Sequence, residues 1–561
     1  MGDFNITVDT IDRIPPREDN IGATMALTSL LLSLQLKDGW RMSEPNQRDY
    51  SYPQRAATSK SRIDRIYVTD NILKSSQSWS IKATAVPTDH KLVLAKISTA
   101  QAPYVGKGRW SIPLHLMNDI NFQREAKIMG NRALTKAKRY TDNGDRDAHN
   151  NPQLVLSEYK KNIVTLARNI MKKKAPKLDA AIKKLTTDIN RIQSLPSYTE
   201  DPLLLTEADV LLDRIIQLER KRYQHIREAT TARYALNAEA ISKYWSSINK
   251  EKKPRDIIYS LKVPGTEDMI TRSDRMAQLA RDYHDKLQEH DDLQDEDMAR
   301  SEHIRLATEK LESQLDNYEA DALRASISMD DVTDALRKAK PGKASGPDGI
   351  PYEFWKSMHD NNESSDNEEA SFDGANLLLL AYRDIETYGV DPKSGFADGW
   401  MCPIYKKHDR RDISNYRPIT VLNSDYKLYT KVLASHLATV VKTIIHPNQA
   451  GFIPGRRITD QTQTCRTMVD YAEATENNGV IIALDQEKAY DKIKHDYLWA
   501  VLERAGVPRK FIDRIKSLYE NATTVVIING ESSTPFRVVR GHARSAALAS
   551  AASPYLEWQN A

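Results

Sequence analysis

Cysteine is nearly absent from this chain: 561 residues carry two, Cys402 and Cys465. A pair so far apart builds neither a disulfide framework nor a metal knuckle, which points to a reducing compartment. Long apolar runs are missing as well, so no membrane partner is expected. The opening Met-Gly-Asp-Phe-Asn lacks the basic and apolar regions of a signal peptide, and the expected location is intracellular. A surplus of one charge sign is also lacking, since 81 Lys and Arg stand against 77 Asp and Glu. A net charge of +4 does not announce a nucleic-acid partner, and any basic surface must be local. No internal repeat is visible.

What is present is 40% hydrophobic content, ordinary for a chain that buries several cores. The expectation is a multidomain protein mixing α/β and α+β parts. Residues 1–100 alternate a helical stretch around Ala26–Leu36 with β-rich runs at Arg65–Val68 and Leu92–Ile97. Ala102–Pro113 reads as a Pro/Gly-interrupted connection. Residues 101–325 are polar, charged and largely helical, and are expected as a long helical linker. Within it Ile182, Leu185, Ile189 and Ile192 keep helical spacing, as do Leu211, Ile215 and Leu218. Lys172, Lys173, Lys174, Lys177, Lys183 and Lys184 form either a solvated helix face or a contact to backbone phosphates. Tyr244, Trp245 and Ile248 form either a buried stripe or a stacking platform for RNA.

Glu289–Asp297 and Asn361–Gly374 read as loose polar stretches, with a short helix at Met329–Ala339 between them. Residues 326–541 then alternate helices and strands. The final 542–561 are a divergent tail of alanine and serine.

Gly2-Asp3-Phe4-Asn5, Ser61-Arg62-Ile63-Asp64-Arg65-Ile66 and Thr88-Asp89-His90 are polar clusters, the latter two beside predicted strands. In this order they resemble the second half of the endonuclease/exonuclease/phosphatase family, in a form like that of fungal retroelements. Cutting a phosphodiester requires a deprotonated, aimed water and a stabilised leaving oxygen. The resemblance implies that Asp3 orients the water and Asn5 holds a phosphate oxygen. It implies further that His90 contacts the scissile phosphate, Asp64 fixes the imidazole, and Asp89 helps to bind metal. In that family an apolar strand precedes the Gly-Asp-Phe-Asn turn, whereas here Met1 does. The expected fold is therefore a partial two-sheet α/β sandwich, without nuclease activity.

The run Gly342-Lys343-Ala344-Ser345-Gly346-Pro347-Asp348-Gly349 has the wrong order for a Walker loop, which ends in Gly-Lys-Ser/Thr. Followed by Ile350-Pro351, it resembles the opening of the reverse transcriptases of non-LTR (LINE-type) retrotransposons. The likeness continues through Pro403-Ile404-Tyr405-Lys406-Lys407, Asn415-Tyr416-Arg417-Pro418-Ile419, and Gln449-Ala450-Gly451-Phe452. It ends at Ala483-Leu484-Asp485-Gln486-Glu487-Lys488-Ala489-Tyr490-Asp491. It implies partial fingers and palm of a right-hand polymerase that copies an RNA template into DNA at a nick in target DNA.

Such phosphoryl transfer needs carboxylates for two Mg2+ ions and cations for the dNTP triphosphate. By resemblance Asp485, after the apolar strand Val480–Leu484, is the first catalytic aspartate and a metal ligand. Tyr490 excludes a 2′-hydroxyl, and Arg417, Lys406 and Lys407 bind the triphosphate. Asp491 fits a helix cap or brace better than a metal ligand. The Tyr-x-Asp-Asp hairpin of these enzymes does not occur in the chain, and neither Asp291-Asp292 nor Asp330-Asp331 stands in the right place to replace it. The expectation is a reverse transcriptase piece that is catalytically inactive as it stands, nuclear if functional. The alternative is a non-catalytic nucleic-acid-binding protein derived from a retroelement.

Overall fold

The computed structural model describes residues 1–53, 59–82, 89–97, 103–142, 144–193, 195, most of 201–218, 257–288, 297–360, 372–451, 453–476, 478–484 and 493–540. The Tyr244/Trp245/Ile248 stripe, the two polar stretches at 289–296 and 361–371, and the tail from 541 lie outside the described residues. The chain forms two compact units, one of residues 1–102 with 169–254 and one of 103–168 with 255–561.

The first unit is built from short antiparallel pairings rather than one continuous sheet. Gly2–Asp3 pairs with Asp64–Arg65, Lys37–Asp38 with Tyr67–Val68, and Lys60–Ser61 with both Arg13–Ile14 and Tyr52–Pro53. The longest pairing is the hairpin Ser76–Lys82 with Leu92–Ile97. A helix forms at Ile21–Ser33, started by the Asn20 side chain accepting from the Ala23 amide. Of that helix only Leu27 is buried, while Ile21, Met25, Leu30 and Leu32 remain exposed. A small apolar cluster of Ile14, Tyr50, Ile192 and Ala208 uses the helical spacing expected around Ile189.

Charge does much of the holding that apolar packing does elsewhere. Arg62 grips Asp12 bidentately, Nε to Oδ1 at 2.8 Å and Nη2 to Oδ2 at 2.6 Å, and also reaches Asp38 at 2.7 Å. Arg41 closes on the same Asp12, and the guanidinium groups of Arg41 and Arg62 lie over the buried Trp40 ring. Burial would push Asp12 up, but Arg62 and Arg41 outweigh it and hold its carboxyl below the ordinary aspartate range.

The second unit centres on a five-stranded sheet. Tyr416–Leu422 runs antiparallel to Gly399–Tyr405, which runs parallel to Thr523–Ile528; Glu531–Ser532 and Phe536–Arg537 pair antiparallel with that last strand. Alternation along the strands directs Met401, Tyr416, Val526, Ile528 and Phe536 into one core with Leu261 and with Met276, Ala277 and Ala280 of the helix Ser273–Lys286. A second, aromatic core joins Phe122, Tyr159, Phe354, Trp355 and Phe372. Trp355 is fully buried and its indole N–H donates to Ser424 Oγ at 3.0 Å, so the polar edge of the ring is satisfied.

These cores correct two expectations. Residues 103–168 and 257–324 are not a spacer before the polymerase-like segment, because Phe122, Tyr159, Met276 and Leu323 are buried parts of the same unit. Their polar faces masked the apolar stripes that make the contact. Val480–Leu484 is not a strand: it is irregular, and Val480, Ile481, Ile482 and Leu484 are 87%, 77%, 75% and 72% exposed. An apolar β-branched run keeps strand geometry only when neighbours supply its ladder hydrogen bonds, and no described strand pairs with it.

Candidate functional sites

In the first unit, strand pairing sets Asp3 directly opposite Asp64. The pairing is extended by the Phe4 amide donating to Ile63 O at 3.0 Å. Asp64 Oδ2 lies 2.8 Å from His90 Nδ1, and the His90 ring packs at a tilt against Tyr52, with ring centroids 4.8 Å apart. Ligand atoms of Asp3, Asp64 and His90 all fall within 4.8 Å of one another. Two carboxylates and an imidazole suit a divalent cation. Asn5 sits in the left-handed region at φ 56°, and its backbone N–H donates to Asp3 Oδ1 at 2.9 Å, so a turn at Asp3–Asn5, directly after the strand Gly2–Asp3, fixes the Asp3 carboxylate. Asp89 does not join the cluster; seating His90 against Asp64 leaves its neighbour exposed.

Behind this cluster stands the Asp12–Arg62 network, which the sequence did not single out. Arg62 lies two residues before Asp64, and anchoring it on Asp12 and Asp38 fixes the strand that carries Asp64. Asp64 is further held by its own amide donating to Ser51 Oγ at 3.0 Å.

In the second unit, the antiparallel register sets Ile404 opposite Arg417 and Tyr405 opposite Tyr416, and the Lys406 amide donates to Asn415 O at 3.0 Å. Tyr416 is buried in the sheet core, so alternation turns Arg417 to the opposite, open face. Lys406 and Lys407 follow the end of the partner strand and are exposed like Arg417. Among the described residues none of these three cations meets a carboxylate within ion-pair distance. Asp485 and Tyr490 lie outside the described residues.

The Gly342–Gly349 segment docks on the junction between the strand Tyr416–Leu422 and the helix Ser424–Ile444. The Asp348 amide donates to Asn423 Oδ1 at 3.1 Å, and a Cβ on Gly346 would come within 2.4 Å of the Asn423 nitrogen. Gly349 adopts φ +75° and its carbonyl accepts from the Ile112 amide at 2.9 Å. Beneath the loop Lys160 lies between Asp348, at 3.1 Å, and the fully buried Asp425, at 2.6 Å. Burial would push the lysine down, but the two carboxylates prevail and raise it; burial raises Asp348 even against the pull of Lys160. Sequence reading missed Lys160, since a lone lysine in a charged helix carries no distance information about residues more than a hundred positions away.

No helix among the described residues is long and apolar enough to cross a membrane. Residues 404–548 match the family model for reverse transcriptase (RNA-dependent DNA polymerase). Over 554 residues, 96% of the chain, the sequence is 26% identical to a Xenopus laevis protein named Transposon TX1 uncharacterized 149 kDa protein. It is also 27% identical over 127 residues to the Drosophila melanogaster Retrovirus-related Pol polyprotein from type-2 retrotransposable element R2DM. A further match, 26% over 133 residues, is the Popillia japonica Retrovirus-related Pol polyprotein from type-1 retrotransposable element R2. These last two alignments each cover 23% of the chain. The chain spans 39% of the length of the Xenopus relative, and the aligned segments 12% and 18% of the other two. Residues 404–548 therefore belong to the reverse transcriptase family, within a chain related to retrotransposon polyproteins.

Proposed function

We propose that the second unit is the nucleotide- and template-holding part of an RNA-directed DNA polymerase of a non-LTR retrotransposon. Its sheet with the loops at 342–349 and 406–417 corresponds to fingers, and its later part to the start of a palm. The observation that carries this reading is the register of Gly399–Tyr405 on Tyr416–Leu422, which brings Arg417 on the open face near Lys406 and Lys407 at the strand end. A planar guanidinium flanked by lysines and free of carboxylate partners among the described residues suits a triphosphate. Asp485 supplies one carboxylate for Mg2+, and its companions do not follow within these 561 residues. Because two metals need several carboxylates at fixed spacing, the chain binds nucleic acid and dNTP without extending a primer.

The test supplies primer, RNA template, dNTPs and Mg2+. Template binding that weakens with salt, no elongation, and loss of dNTP retention in Arg417→Gln are expected. Elongation abolished by Asp485→Ala would overturn the inactive reading, and absence of any template binding would overturn the assignment as a whole.

The Asp3/Asp64/His90 convergence favours a second reading for the first unit, a remnant of an endonuclease/exonuclease/phosphatase-like domain acting on target DNA. Asp3 would aim water, His90 would meet the phosphate and Asp64 would hold the imidazole, while the cluster would hold a divalent ion that lowers the pKa of water.

A further inference from the structure

Asn529–Gly530 and Asn478–Gly479, both in the second unit, have the same covalent chemistry and opposite surroundings. In an Asn-Gly pair the side-chain amide carbon can reach the next backbone nitrogen, because glycine puts no Cβ beside that nitrogen. Whether the two atoms meet depends on how firmly the fold holds them.

At Asn529–Gly530 both partners are fixed. Asn529 Nδ2 donates to Ile258 O at 2.8 Å and to Ser273 Oγ at 3.1 Å, while its Oδ1 accepts from the Ile258 N–H at 3.1 Å. Gly530 adopts φ +86° in the hairpin turn, and Gly106 O lies 2.7 Å from where a Cβ would stand. Turning the side chain toward its neighbour's nitrogen would give up all three hydrogen bonds.

At Asn478–Gly479 neither restraint exists. Both residues are exposed and irregular, between the helix Ile458–Ala474 and the run Val480–Leu484. Among the described residues Asn478 makes no hydrogen bond, and a Cβ on Gly479 would meet nothing within 4 Å. The run that follows is exposed and pairs with no described strand, so no ladder of hydrogen bonds stiffens the pair from that side.

We infer that Asn478–Gly479 is a site of spontaneous covalent modification, at which Asn478 loses its side-chain amide through a cyclic imide. The Gly479 nitrogen forms a bond to Asn478 Cγ as the Cγ–Nδ2 bond breaks, and the proton from the Gly479 N–H leaves with the amide nitrogen as ammonia. Water then opens the ring. Addition at Cγ breaks its bond to the Gly479 nitrogen and leaves aspartate; addition at the backbone carbonyl breaks the other bond and leaves isoaspartate. Nothing is oxidised or reduced, and water is the one co-reactant. Either product adds a negative charge beside Glu473 and Glu476, and isoaspartate also lengthens the main chain by a carbon just ahead of Val480–Leu484 and Asp485. The reaction draws nothing from the proposed polymerase activity and stands or falls separately from it.

The experiment incubates the folded full chain in mildly alkaline buffer and follows each Asn-Gly pair by tandem mass spectrometry, which reads the mass gained when an amide becomes a carboxyl. The chain in guanidinium chloride, where the fold restrains neither pair, runs in parallel. Asn143–Gly144 is followed separately, since Asn143 lies outside the described residues. In the folded chain Asn478 is expected to convert at least about tenfold faster than Asn529, whose three hydrogen bonds must first open, and in denaturant the two rates should converge. The variant is Gly479→Ala, placed in open space at a residue without a left-handed φ, so that the fold is kept while a Cβ shields the attacking nitrogen. It is expected to slow conversion at Asn478 by about tenfold or more and to leave Asn529 unchanged. If Asn478 in the folded chain converts as slowly as Asn529, the segment is held and the inference is overturned. If Gly479→Ala converts as fast as the wild type, the amide is not lost through the Gly479 nitrogen, and the inference is overturned as well.

Discussion

Arg62 illustrates how a residue away from the chemistry can decide whether a site exists. Its guanidinium is nearly inaccessible and is ion-paired to Asp12 and Asp38, two residues from the carboxylate that holds His90. Removing one partner from a buried pair leaves an uncompensated charge, so Asp12→Asn is expected to destabilise the first unit by about 3–5 kcal/mol. Denaturant titration followed through Trp40 fluorescence would measure it; a change under about 0.5 kcal/mol, typical of a surface site, would contradict it. The sign of the pH effect follows from the lowered carboxyl. Asp12 binds its proton more readily in the unfolded chain, so its contribution is complete above the ordinary aspartate value of about 3.9 and fades as pH falls below it.

At the scale of elements, the turn between Thr523–Ile528 and Glu531–Ser532 is a clasp as well as a connection. Asn529 and Gly530 both adopt positive φ, 50° and 86°, the geometry of the tight hairpin that Asn-Gly favours. The Asn529 amide nitrogen donates to Ile258 O at 2.8 Å and its amide oxygen accepts from the Ile258 N–H at 3.1 Å. Its carbonyl accepts from Gly106, and a Cβ on Gly530 would lie 2.7 Å from Gly106 O. One turn therefore ties residues 106 and 258 to the central sheet. Asn529→Ala is expected to cost about 1–3 kcal/mol, from lost hydrogen bonds and a strained left-handed alanine. Hydrogen exchange should show faster exchange at Ile258 and Gly106; unchanged protection at both would count against the clasp.

Across the whole molecule the two units differ in how they are held. The second has extended apolar and aromatic cores, whereas the first combines short strand pairs, a buried ionic network and an apolar helix that leaves Ile21, Met25, Leu30 and Leu32 exposed. Local opening is easiest where few apolar contacts must break. Limited proteolysis of the full chain is thus expected to cut within residues 1–97 before it cuts within 372–451. A resistant fragment ending near residue 97 would show that the first unit is better covered than its packing indicates.

Motif order along the chain was enough to reveal the reverse transcriptase segment, because the chemistry of Arg417 and the Gly-Pro-Asp-Gly turn is local to a few residues. The resemblance of the first unit's motifs implied that Asp64 fixes the His90 ring, and in the structure Asp64 Oδ2 lies 2.8 Å from His90 Nδ1. The convergence of Lys160 on Asp348 and Asp425, the Asp12–Arg62 network and the inclusion of residues 103–168 and 257–324 in the polymerase-like unit were decided only by tertiary structure. Those contacts join positions far apart in sequence, and periodicity reports which face of a helix is apolar but not what covers it. The same reason explains Val480–Leu484: its composition favours a strand, but a strand exists only when another lies beside it.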